Sequence, residues 1–163
     1  MKDRVSKTNY YLDIAQTVAE RSTCLRRKFG AIIVKNDVIV STGYNGAPRG
    51  RENCSDLGYC LRTRFNIPRG ERYELCRSLH AEDNAIIAAS REQMIGATLY
   101  LACVDYETGE LAGDTCCCAM CKRRVINAGI EQVIVRNTRD RFTVYNVQDW
   151  ITNDDSLTGQ GGY

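Results

Sequence analysis

Little in this chain of 163 residues points towards a membrane, an export route or a nucleic-acid backbone. No segment approaches the roughly 20 apolar residues of a membrane span, which argues against a helical membrane protein. The opening stretch, MKDRVSKTNYY, lacks the uninterrupted apolar run of a secretory signal, so a cytoplasmic location is expected. Charge is nearly even: 22 Lys and Arg against 20 Asp and Glu leave a formal +2. That balance does not support a nucleic-acid surface on charge alone. Histidine is scarcest of the metal-binding residues, with His80 the single example.

Cysteine is the opposite case. Nine is a high and odd count. A reducing compartment does not sustain a disulfide framework, so thiols this dense point to metal. The remaining composition, 44% hydrophobic and 26% charged, fits one globular domain over residues 1–152. The stretch 153–163 is polar and glycine-rich and is expected to be a flexible tail.

Helix and strand signals alternate. Tyr11, Ile14, Ala15 and Val18 recur at helical spacing within 8–22. FGAIIVK (29–35) and DVIVSTGY (37–44) are β-branched runs separated by Asn36, which predicts a hairpin. Residues 80–91 are rich in helix formers, and 97–103 has the pattern of a buried strand that ends in Cys103, expected in the core. Helical character from Cys118 to Ala128 stops at Gly129, and strands are expected over 130–136 and 142–147. This interleaving predicts a layered α/β domain. Between the hairpin and the helix at 80, residues 45–79 show no period, so this irregular insert needs internal ties or a function.

Residues 113–124, GDTCCCAMCKRR, carry four cysteines, of which Cys118 and Cys121 form C-x-x-C. Residues three apart at a helix start share a face and can grip one zinc at Zn–S distances of about 2.3 Å. Cys117 is the rival first ligand. A catalytic zinc takes a third protein ligand and keeps one open position, and His80 is the candidate. Glu82 lies two residues after it, yet i and i+2 on a helix point roughly 200° apart. The two can converge only on a target beyond the N-terminus of the helix. If Cys118 also opens its helix, two helix starts face the same ion, which favours thiolates. Glu82 is then placed to act as general base and acid.

H-x-E followed downstream by P-C-x-x-C is the signature of zinc nucleobase deaminases, and His80-Ala81-Glu82 with Cys118-Ala119-Met120-Cys121 matches it. Residues 21–50, 74–87 and the helix ending INAGIEQVIV carry a wider likeness, over roughly 8–136, that resembles the deoxycytidylate (dCMP) deaminases. The resemblance implies a cytidine-deaminase-like three-layer α/β/α sandwich with a mixed central β-sheet. It implies conversion of dCMP to dUMP and ammonia, a supply of dUMP for thymidylate synthesis. It implies zinc on His80, Cys118 and Cys121, with Glu82 as the proton carrier. Asn45 would contact the nucleotide, and hexamers with dCTP and dTTP as effectors are common in the family. The family proline is Cys117 here, which loosens the helix start and sets a competing thiol beside the site. Cys116 fits either a buried small residue or a reactive thiol.

Cys24, Cys54, Cys60 and Cys76 flank or lie within the irregular insert. They suggest a second, closed and therefore structural zinc that would tie it; the plainer reading is ordinary buried thiols. Arg26, Arg27 and Lys28 are solvated charges or, on the resemblance, ligands of a substrate phosphate. The alternatives in function are a deaminase of tRNA adenosine, cytosine or guanine, and a catalytically silent nucleotide-binding zinc protein.

Overall fold

The structure is a computed structural model and describes residues 3–159. In chain order the elements are α1 (Lys7–Ala19), β1 (Arg27–Lys35), β2 (Val38–Tyr44), α2 (Cys54–Leu57), α3 (Leu61–Arg64), α4 (Ala81–Ile87) and α5 (Arg91–Met94). They continue with β3 (Thr98–Asp105), α6 (Ala119–Ala128), β4 (Gln132–Arg136), β5 (Phe142–Asn146) and α7 (Val147–Thr152). Single 3-10 turns lie at Tyr73–Leu75 and Asp155–Thr158. The second falls inside the expected tail, whose residues 160–163 lie outside the described residues.

The sheet has five strands in the order β2-β1-β3-β4-β5. It is mixed: β3 and β4 run parallel, and the other neighbours are antiparallel. The β1–β2 hairpin turns through Asn36 and Asp37, both with positive φ, the conformation that a two-residue primed turn requires. The parallel pair needs a crossover, and α6 provides it.

Helices cover both faces, as the three-layer expectation requires. On one face α1 packs Tyr11, Leu12 and Ala15 against Ile32, Val34, Tyr100 and Ile134. Buried Arg136 pins it there, with Nη1 2.8 Å from Asp13 and 2.9 Å from Gln16 Oε1. On the other face α4 and α6 sit over Ile33, Leu99, Leu101, Val133 and Val135. Cys103 is fully buried in β3, the core position expected of it.

Two departures from the sequence reading have local causes. The helix expected over 80–91 ends at Ile87, and Ser90 starts α5 with a capping box to Gln93. The insert is held at its base, because Gly46 and Leu79 exchange backbone hydrogen bonds of 3.2 and 2.8 Å. Among the described residues no helix is long and apolar enough to cross a membrane.

Candidate metal centre and active site

Gly43 decides how close α4 comes to the sheet. A Cβ there would lie 2.4 Å from both Ala81 O and Ala85 N, so only glycine permits the observed backbone approach. Ser41 Oγ donates to Ala85 O at 2.7 Å, and Asn84 Nδ2 donates to Tyr44 O at 2.8 Å. Across the face, Arg124 of α6 lies 3.1 Å from Asp83 of α4. The two helices that carry the chemical side chains are thus fixed to the sheet and to each other.

His80 is the N-cap of α4 and Cys118 the N-cap of α6, both in extended backbone conformation. The two helix starts meet, as the H-x-E spacing required. His80 Nδ1 stands 3.2 Å from Cys121 Sγ and 3.5 Å from Cys118 Sγ. All three donor atoms lie within 4.8 Å of one another, the one such group of His, Cys, Asp or Glu among the described residues. Around a tetrahedral zinc, with Zn–N near 2.0 Å and Zn–S near 2.3 Å, donor atoms sit roughly 3.5–3.8 Å apart. The observed spacings fit that cage with only a small opening. One imidazole and two thiolates leave a fourth position for water.

Electrostatics favour the same use. Cys118 is drawn down to about 4 by a hydrogen bond from the Cys121 thiol, with His80 adding to the effect against burial. Cys121, the proton donor of the pair, is pushed up correspondingly. Burial opposes a charged His80, but the Cys118 bond and the Glu82 charge outweigh it and raise its pKa. A cation between these groups would replace the shared protons. Glu82, 4% exposed, lies in the first turn of α4, and burial pushes its carboxyl upward.

Cys117 does not join the three-atom group; its thiol is buried, and its neighbour Cys116, burial and the Glu82 carboxyl hold its pKa well above the ordinary thiol range. Cys116 is partly buried and lines the cavity, drawn down to about 7 by the bond from Cys117.

The site opens into a cavity of about 520 Å³. Glu82, Asn45, Arg26 and Arg27 line it, and Lys28 does not. Strand alternation is the reason: Arg27 and Phe29 face the cavity, while Lys28 turns away to sit over the Tyr106 ring at 5.7 Å. The Asn45 amide is largely engaged within the chain, accepting from Phe29 N and donating to Arg27 O, each at 2.9 Å. Ser22 donates to the same amide oxygen, so Asn45 helps to hold the cavity wall in place.

Sequence reasoning missed Arg62, Arg69, Tyr73 and Asp114, all on the cavity wall. Asp114 bridges two of the arginines, 3.7 Å from Arg27 and 3.8 Å from Arg69. Arg62 lies in the four-residue α3, Tyr73 in a 3-10 turn and the other two in loops, all too short or irregular to give a periodic signal. Cys24, Cys60 and Cys76 also line this cavity, with Cys54 buried nearby. Among the described residues these four do not form a group as tight as that around His80.

A site of this kind, two helix starts presenting one imidazole, two sulfurs and a buried carboxyl at the floor of a cavity, can hold a metal ion and leave it a position for water, which is the equipment of a metal-dependent hydrolase. The comparisons make the class specific. The family model for the cytidine and deoxycytidylate deaminase zinc-binding region matches residues 5–137, so the chain belongs to that family. It is 38% identical over 129 residues to the deoxycytidylate deaminase of Mycobacterium phage D29, covering 77% of this chain and 90% of that one. It is 35% identical over 131 residues to that of Schizosaccharomyces pombe, covering 80% of this chain. The chain spans little more than a third of that yeast relative, 37% of its length. The crystal structure of the apo dCMP deaminase from cyanophage S-TIM5 superposes with a TM-score of 0.57 at 27% identity, covering 85% of this chain and 88% of that one.

Proposed function

We propose that this chain hydrolyses dCMP to dUMP and ammonia, with zinc held by His80, Cys118 and Cys121 and with Glu82 moving the protons. The observation that carries the proposal is the meeting of those three donor atoms beside buried Glu82. When bound, zinc would supply Lewis-acid activation of water near neutral pH. The rest falls to the chain. Glu82 takes the proton of the attacking water and delivers it to the substrate; the C4–O bond forms, the C4–N bond breaks and ammonia leaves. Its raised pKa suits both halves of that exchange.

The relatives' substrate supports dCMP over a free nucleoside, and Arg26 and Arg27 on the cavity wall supply charge for a 5′-phosphate. Each charge-assisted hydrogen bond contributes roughly 1.5–3 kcal/mol, so two would favour dCMP over deoxycytidine by at least about a hundredfold. The test is ammonia release from dCMP, CMP, dCTP and deoxycytidine, with metal analysis on the same sample. Equal rates on dCMP and deoxycytidine would remove the nucleotide assignment. In Glu82→Gln, zinc should stay and turnover should vanish; surviving turnover would refute the role given to Glu82.

A second, structural zinc on Cys24, Cys54, Cys60 and Cys76 belongs to the same proposal. Cys54 and Cys76 each lie within reach of the charges on Cys24 and Cys60. Backbone N–H groups already point at two of the sulfurs, Arg26 N to Cys24 at 3.4 Å and the start of α3 to Cys60. Two zinc ions per chain would support it, and one would refute it. Hexamer formation and response to dCTP and dTTP rest on the family resemblance alone; light scattering with each nucleotide tests them.

A further inference from the structure

His80 can serve a metal only if something fixes its imidazole plane. A metal-binding histidine is ordinarily steered by a neighbour outside the ligand set. Here a ring from the irregular insert meets it. Tyr73 stands edge-on to His80, with ring centroids 5.4 Å apart and planes at 84°. That is the perpendicular arrangement in which an electron-poor ring edge meets an electron-rich face.

Tyr73 is itself clamped. The Arg62 guanidinium lies 4.3 Å from its ring centroid, within cation–π range. Arg62 is only 5% exposed and donates through Nη2 to Pro68 O at 2.7 Å and to Glu71 O at 2.8 Å. Those carbonyls belong to the loop that leads directly into Tyr73. The loop then passes through Arg72 with φ of +50°, a left-handed conformation rare for a side-chain-bearing residue. One buried cation therefore holds both the loop that delivers the ring and the ring itself, and both Arg62 and Tyr73 line the cavity.

We propose that Tyr73, clamped by Arg62, is a positioning residue for the metal centre: it sets the orientation in which His80 presents Nδ1 to the metal. The insert 45–79 thereby completes the centre from outside the His/Cys motif. This inference rests on the metal reading of His80, Cys118 and Cys121.

The test uses the full chain loaded with cobalt(II), whose thiolate charge-transfer and ligand-field bands report ligand geometry, and separately the zinc form challenged with a chelator. Tyr73→Phe keeps the ring and should keep the wild-type bands and release rate. Tyr73→Leu should shift the ligand-field bands and release zinc roughly tenfold faster, the scale typical of losing a neighbour that orients a metal ligand. Arg62→Met should move both readouts the same way, and the double variant should be no worse than Tyr73→Leu, because both act through one ring. A folded Tyr73→Leu protein with wild-type bands and release rate would overturn the inference while the metal reading stood, and would do so even if Arg62→Met failed to fold. A wild-type chain that binds no cobalt through thiolates would overturn the metal reading and this inference with it.

Discussion

Replacing Gly43 with alanine tests whether the sheet sets the site geometry. The new Cβ would sit 2.4 Å from two backbone atoms of α4, where ordinary contact begins at 3.4 Å. Both neighbours are main chain, Ala81 O and Ala85 N, so no side chain can swing away. Relief requires α4 to move off β2 by about 1 Å, and overpacking of this kind costs about 1–3 kcal/mol. His80 and Glu82 ride on α4, whereas Cys118 and Cys121 ride on α6. The displacement therefore opens the imidazole–sulfur spacings from one side only. A misplacement of about 1 Å at a reacting group can lower the rate about a hundredfold. The urea midpoint, zinc retention under a chelator and ammonia release from dCMP are the measurements. Lowered stability together with weakened zinc retention and a lowered rate is expected. A Gly43→Ala protein that is destabilised yet keeps full zinc retention and full turnover would refute the claim that strand-to-helix approach sets the site.

Cys118→Ala should lose the catalytic zinc, whereas Cys117→Ala should keep it; metal content of the purified proteins decides between the two thiols. Arg27→Met should raise KM for dCMP by about tenfold or more, the loss of one charge-assisted hydrogen bond, and leave deoxycytidine turnover unchanged. Lys28→Met, whose side chain faces Tyr106, should change neither. The Tyr11–Asp37 hydrogen bond should give stability a limb on each side of neutrality. Bonding to Asp37 raises Tyr11 to about 12, so that contribution is complete below pH 10 and is lost as pH rises towards 12. The Tyr11 and Lys7 bonds hold Asp37 below its usual 3.8, so its share is present above that pH and is lost as pH falls through the depressed pKa. Tyr11→Phe should flatten both limbs in urea titrations, and curves parallel to wild type would contradict it.

What the sequence made legible was whatever is encoded by period or by fixed spacing. The β-branched runs announced the hairpin, and Gly129 closed α6 in the left-handed conformation expected of a C-terminal cap. H-x-E required His80 and Glu82 to converge beyond a helix start, and α4 and α6 begin at His80 and Cys118, the two candidate donors. Spacing did not separate Lys28 from its neighbours as a phosphate ligand. Strand alternation separates Arg27 from Lys28, while Arg26 precedes the strand and lines the cavity as well. The insert was opaque for a different reason. Its order comes from a buried cation bonded to carbonyls and a ring stacked on that cation, contacts with no sequence period.

The absent proline before Cys118 shows how such non-periodic contacts replace a local rule. Proline would stiffen the chain just ahead of the helix by fixing φ. Cys117 fixes no dihedral, yet Cys118 still caps α6 in extended conformation. The restraint comes from further away. Asn137, just after β4, donates to Gly113 O at 2.9 Å and accepts from Thr143 at 2.6 Å, tying the approach loop to β5. A Cβ on Gly113 would fall 2.3 Å from Asn137 O, so the loop and strand end are in backbone contact. Cys117 is buried in the same core as Leu101 and Val135. The approach to the helix is thus held by packing at Cys117 and, five residues before Cys118, by one asparagine at Gly113. Cys117 occupies the proline position while Cys118 keeps the extended cap conformation, with the contacts of the approach loop in place of a fixed dihedral.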